Sequence, residues 1–178
     1  MAGRPFALAP FPGGPALPLR ISGTASRQGA RLILAYALTG DVARVAWPAP
    51  AASPSRRDQL WQQTCCECFI ARPEKSGYWE VNLSPAGHWQ LYRFDDYRQG
   101  GRPEMAVAAL PVTTTRTAEG FELAAVLDLA PLLLAEQPLL LGVSMVVRTV
   151  DGTTSYWALA HPGERPDFHH RAAFCLTL

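Results

Sequence analysis

Short apolar runs alternate with turn-forming residues along most of the chain, the pattern expected of strands rather than helices. Residues 6–11 read as an edge strand followed by a Pro/Gly loop, and residues 19–27 as a second strand. Residues 30–39, ARLILAYALT, are apolar on both faces and end at Thr39-Gly40-Asp41, which predicts a central strand covered on both sides. Residues 42–47 can pair back across that turn. A proline-rich loop, 48–57, leads into 58–63, which has room for one helical turn. Three strand-like runs follow, TCCECFIA, GYWEVNLS and HWQLYRF, separated by turn signals at 72–77 and 85–87. Residues 95–105 form a loop with two adjacent glycines, long enough to cover a site. In the second half, 112–118 and 121–129 flank a Glu119-Gly120 turn. Residues 130–137 are the best helical candidate, with Pro131 suited to a first turn. Residues 139–150 end at Asp151-Gly152, the strongest hairpin signal in the chain, with 155–160 as partner strand and 172–178 as the last. About ten short strands and one short helix predict an all-β antiparallel sandwich. No repeat or shift in composition marks a boundary, so residues 1–178 are expected to form one domain.

The aromatic meander at 60–94 is the centre of the reading. Period-two alternation puts Trp79, Val81 and Leu83 on one face, and Tyr78, Glu80, Asn82 and Ser84 on the other. Glu67 lies with Cys65 and Phe69, opposite Cys66, Cys68 and Ile70. On the next run, Trp89, Leu91 and Arg93 oppose Gln90, Tyr92 and Phe94. If the register aligns them, Glu67, Tyr78, Glu80, Asn82 and Arg93 share a face. Such a face is either a ligand platform or a solvated outer surface carrying a cross-strand Glu–Arg pair.

Composition narrows the classes. With 48% hydrophobic and 17% charged residues the chain is globular, and its net charge of +1 argues against a nucleic-acid surface. The N-terminal apolar stretch is broken by prolines, unlike a secretory signal, and no run of eighteen apolar residues predicts a membrane span. A cytoplasmic protein is the expectation. Cys65, Cys66 and Cys68 crowd one strand, where neighbours point to opposite faces. They suit reduced, buried thiols better than a disulfide framework, and the lone Cys65-x-x-Cys68 lacks the turn that lets two sulfurs converge on a metal.

Signature motifs for nucleophilic elbows, phosphate loops, dinucleotide folds and zinc proteases are absent. Glu67 and Glu80 form a candidate carboxylate pair of the glycosidase kind. Residues 160–170, AHPGERPDFHH, cluster three histidines with two acids; they offer either metal ligands or a rigid loop whose Asp167 caps a turn while its histidines bond to backbone. His161 follows the aromatic run Tyr156-Trp157-Ala158-Leu159-Ala160, which delivers it to one end of the sandwich.

The stretches Trp61-Gln62-Gln63-Thr64-Cys65-Cys66-Glu67 and Tyr78-Trp79-Glu80-Val81-Asn82-Leu83-Ser84-Pro85-Ala86-Gly87 resemble the DOMON-like sandwiches related to family 9 carbohydrate-binding modules. Residues 92–100, 156–162 and 167–169 resemble small bacterial members of that group. The resemblance implies a jelly-roll type sandwich and a non-catalytic module whose partner is a small ligand, a saccharide or sugar-containing metabolite. The residues it implies for binding are Trp61, Glu67, Tyr78, Glu80, Asn82, Arg93, Trp157 and His161, with aromatic rings stacking on pyranose faces and polar groups bonding hydroxyls. Trp79 is expected in the core and Trp61 free to bind. A haem cofactor is the alternative, with Met105, Met145, His88 and His161 as candidate axial ligands. A homodimer using the polar meander face is the third reading.

Overall fold

The computed structural model describes residues 3–132, 134 and 136–178. Its strands are β1 (Arg4–Pro10), β2 (Leu19–Gln28), β3 (Arg31–Gly40), β4 (Cys65–Ala71), β5 (Tyr78–Leu83), β6 (Trp89–Phe94), β7 (Arg102–Pro103), β8 (Val112–Arg116), β9 (Gly120–Asp128), β10 (Leu140–Arg148), β11 (Thr154–Ala158) and β12 (Leu176–Thr177). All pairings are antiparallel and run in the order β7-β6-β5-β4-β10-β11-β1-β2-β3-β9-β8, with β12 added to β10. This path folds into two layers because β1 serves both. Its residues 4–8 pair with β2, while Ala9 and Pro10 pair with β11.

The antiparallel all-β class agrees with the alternation pattern, but the details differ. Twelve strands replace about ten: β7 is a two-residue pairing too short to leave a hydrophobic pattern, and of the expected 172–178 strand only Leu176–Thr177 forms, after a 3-10 turn at Arg171–Ala173. Meanders and hairpins dominate the order, which does not match a jelly roll of two Greek keys. Residues 42–47 do not form a strand: Val42–Arg44 is a 3-10 turn, and Val45 makes an isolated bridge to Thr149. In the predicted 130–137 helix, Ala130–Leu132 is a 3-10 turn, and residues 133 and 135 lie outside the described residues. The Asp151-Gly152 turn joins β10 to β11, with Gly152 at φ +86°, a conformation that favours glycine.

Strand β3 buries one face only. Leu32, Leu34, Tyr36 and Leu38 enter the core, while Ile33, Ala35 and Ala37 stay half-exposed, so the expected cover on both sides is found elsewhere. It is found on β4 and β5, which are buried at every position. Their inner residues Cys66, Cys68, Ile70, Trp79, Val81 and Leu83 join the core between the layers. Their outer residues Phe69, Ala71 and Tyr78 pack with Val146 and Ala158 beneath Phe168, Ala173 and Phe174 of the C-terminal segment. Gly142 permits this cover, because a Cβ there would stand 2.6 Å from the Phe174 ring. The proposed solvated face is therefore a covered one.

One buried hydrogen bond ties the layers together behind the meander: the Tyr36 hydroxyl on β3 donates to the Glu67 carbonyl on β4 at 2.7 Å. A buried bond of this kind contributes about 1 kcal/mol net. Tyr36→Phe is expected to lower the unfolding free energy by that amount, which moves the urea midpoint down by roughly 0.3–1 M at unchanged slope. An unaltered midpoint would mean the bond does not hold the layers.

Candidate functional site

The outer face of the β6-β5-β4-β10-β11 layer can be read off the registers. Glu80 sits opposite Tyr92, Glu67 opposite Ser144, and Val146 opposite Tyr156. Acids therefore occupy the middle of the row, with aromatic residues on both flanks. A cavity of about 500 Å³ lies over them. It is lined by Glu67, Glu80 and Val146 from the sheet centre, by Trp61, Tyr92 and Phe94 on one flank, and by Tyr156, Pro166 and Phe168 on the other. Arg98, Gly101 and His169 complete it from the two covering segments.

Two non-glycine residues with positive φ shape this rim. Gln59 (φ 61°) precedes the 3-10 turn Leu60–Gln62, which holds Trp61 41% exposed and edge-on to Tyr92 at 5.7 Å. Arg98 (φ 53°) sits in the 95–101 loop, which Arg102 clamps through two bonds to Asp95 at 2.8 and 2.9 Å. Left-handed backbone is unfavourable for residues with a Cβ and gathers at sites held by their surroundings. Tyr92 is fixed from below, since its hydroxyl donates to Asp58, which also accepts from Gln90.

The carboxylates are the unusual feature. Glu67 is 3% and Glu80 6% exposed, yet among the described residues no arginine or lysine forms an ion pair with either. Glu80 accepts one bond from the Asn82 amide at 2.9 Å, while Glu67 Oε1 and the neighbouring Ser144 Oγ are buried with no partner. Burial, reinforced by the neighbouring Glu80, pushes the Glu67 carboxyl well above the usual range. Burial also raises Glu80 to about 7, against smaller lowering effects from Asn82 and the more distant Arg98. Arg98 itself is ion-paired with Asp167 at 2.8 Å.

His169 approaches Glu80 at 3.7 Å, but burial lowers its own value to about 4, so at neutral pH the contact is not an ion pair. The Tyr78 hydroxyl accepts from the Arg98 backbone N–H at 3.1 Å and shares a hydrogen bond of 2.8 Å with His169 Nδ1. The other histidines of this segment are structural: His161 bonds to the Ala9 carbonyl, and His170 accepts from Ala172 at a 3-10 turn. Asp167 accepts from the His169 backbone N–H, capping the turn.

Of the sequence-derived site residues, Trp61, Glu67 and Glu80 line the cavity. Tyr78 and Asn82 share its face but lie beneath it, Tyr78 stacked on Phe94 at 4.9 Å and Asn82 fully buried under Glu80. Three residues stand elsewhere. Arg93 is opposite Trp79 in the register, which turns it to the other face, over the Trp79 ring; the Glu–Arg cross-strand pair does not form. Trp157 alternates with Tyr156 and points into the inner core, 3% exposed. His161 packs against Phe11 at the β1 end. Sequence reasoning missed Tyr92, Tyr156, Arg98, Phe168 and His169; alternation separated Tyr92 from Arg93, and the register puts Tyr92 beside Glu80 where Arg93 was expected.

The haem candidates do not converge. Met145 is wholly buried in the inner core, Met105 is 70% exposed on a loop, and His88 bonds to Ser55. Among the described residues no group of three His, Cys, Asp or Glu is arranged to hold a metal ion. Cys65, Cys66 and Cys68 are free and buried.

No family model matches the chain, and no curated protein matches it. Among solved structures it is similar to a candidate carbohydrate-binding protein from Bacteroides uniformis, with a TM-score of 0.71 and 14% identity over 97% of this chain and 84% of that one. It is also similar to a family 9 carbohydrate-binding module from Caldicellulosiruptor kristjanssonii in complex with cellotriose. That match has a TM-score of 0.51 and 8% identity, over 88% of this chain and 72% of the other. At these identities the likeness establishes a shared β-sandwich fold.

The two buried acids and the buried histidine act on stability with opposite sign, Glu67 in the same sense as Glu80. Glu80, raised from 4.5 to about 7, keeps its proton longer in the folded state, so its contribution is present at low pH and lost as pH rises through 4.5–7. His169, lowered from 6.5 to about 4, takes its proton more readily when unfolded, so stability rises with pH between about 4 and 6.5. Glu80→Gln removes one falling contribution. Its stability, from urea unfolding at pH 5 to 7, is expected to fall less with pH than that of the wild type, the slopes differing by up to about 1.4 kcal/mol per unit. Parallel profiles would show that Glu80 titrates at its ordinary value.

Proposed function

We propose that this chain is a non-catalytic binding module for a saccharide or sugar-containing metabolite, seated on the outer face of the β6-β5-β4-β10-β11 layer. The observation that carries this reading is the combination in one cavity of aromatic flanks with two buried acids, of which Glu67 has an oxygen, Oε1, without a hydrogen-bond partner. A pyranose has apolar C–H faces and a hydroxyl edge. Trp61, Tyr92, Tyr156 and Phe168 suit the faces. Glu67 and Glu80 suit the donors on the edge, and Asn82 and Tyr78 hold Glu80 and His169 in place. The volume accommodates a sugar of one or two rings. The two similar structures, a candidate carbohydrate-binding protein and a family 9 carbohydrate-binding module in complex with cellotriose, support the same reading.

Calorimetric titration with a panel of mono- and disaccharides is expected to show binding, together with a change in tryptophan fluorescence from Trp61. Trp61→Ala is expected to weaken it about ten-fold through the lost ring contact. No heat and no fluorescence change with any sugar at millimolar concentration would overturn the proposal.

A further inference from the structure

We propose that the saccharide this cavity selects is an amino sugar, whose free ammonium group sits between Glu67 and Glu80. This rests on the saccharide reading and adds the charge of the ligand. Apart from the two acids, the charged groups in and around the cavity are engaged within the protein. Arg98, from the 95–101 loop, is engaged by Asp167 of the C-terminal segment. Arg56 is engaged by Gln90 and two backbone carbonyls. Asp58 is satisfied by Gln90 and Tyr92. His169 presents an uncharged ring, and Cys65 beneath the acids is a buried neutral thiol. What remains is two carboxyl groups on adjacent strands, supported by one amide bond to Glu80 and by nothing at Glu67 Oε1.

Carboxylates removed from water require a cation or a proton. In the free protein, a retained proton meets that need. A neutral hexose would leave the proton in place and find only part of the acceptor capacity available. A primary ammonium replaces it: one proton leaves the pair for solvent as the cation enters, and its N–H donors meet Glu67 and Glu80. The surrounding rings of Trp61, Tyr92 and Tyr156 reinforce the choice, because aromatic faces attract a cation and a desolvated site strengthens that attraction. An N-acetylated sugar has neither the charge nor the donors, and its acetyl group would occupy the space over the acids.

The test is isothermal titration of the wild-type protein at pH 7 with glucosamine, galactosamine and mannosamine, each beside its parent hexose and its N-acetyl derivative. The expected result is at least ten-fold tighter binding of one free amino sugar over both counterparts. Proton release is expected with it, seen as a dependence of the measured heat on the buffer's ionisation enthalpy. Glu67→Gln is expected to bring the ratio of amino sugar to hexose affinity down to about one. A hexose that binds as tightly as its amino analogue would overturn the inference and leave the saccharide reading standing. Binding of no sugar in the panel would overturn both. The wild-type ratio decides the matter even if the variant is unstable.

Discussion

Strands β4, β5 and β10 are covered on both faces, and most of this molecule follows from that constraint. A sheet packed on one side can turn its polar residues to water. Here the inner face joins the core between the layers, and the C-terminal segment lies over the outer face through Phe168, Ala173 and Phe174. Polar side chains on the outer face must therefore find partners within the protein or from a ligand. Asn82 finds Glu80, Gln90 finds Asp58 and Arg56, and Tyr78 finds His169. Glu67 and Ser144 are left over, facing each other across the β4–β10 pairing.

The cover is incomplete by design of the chain's local geometry. Trp61 and Arg98 reach the cavity by way of left-handed kinks at Gln59 and at Arg98 itself, and the Asp95–Arg102 clamp keeps the second loop in place. The hydrogen-bond chain from the Arg98 backbone through Tyr78 to His169 links that loop to the C-terminal segment. Loop and tail thus act as one rim, and a ligand touching Glu80 from above meets groups already oriented. Behind the site, the Tyr36 bond to the Glu67 carbonyl fixes the strand that bears the acid.

Much of the architecture could be read in the residues, and the failures have physical causes. Alternation separated Trp79 from Glu80 and Cys66 from Glu67 correctly, because period two holds whatever covers each face. It did not show that Phe69 and Tyr78 are as buried as Trp79, since that depends on a segment about ninety residues further along the chain. Arg93 was grouped with the acids on the assumption of a favourable register; the Trp79–Arg93 pairing put it on the far side. Trp157 was chosen for its ring when its neighbour Tyr156 had the right parity. His169 was visible only as one of several histidines in a proline-rich tail, and nothing local distinguishes it from His161 or His170. Contacts at long sequence separation decided each of these cases.

The central claim is that two glutamic acids sit side by side in a covered cavity without a cation. The most direct measurement is a carbon-13 NMR titration of the glutamate side-chain carboxyl groups in the ligand-free protein, with Glu67→Gln and Glu80→Gln used to assign the resonances. The account predicts that both carboxyl groups ionise above the ordinary carboxylate range, Glu80 near 7. Ionisation of both in the ordinary carboxylate range would contradict it, because the site would then be open to water or matched by a cation.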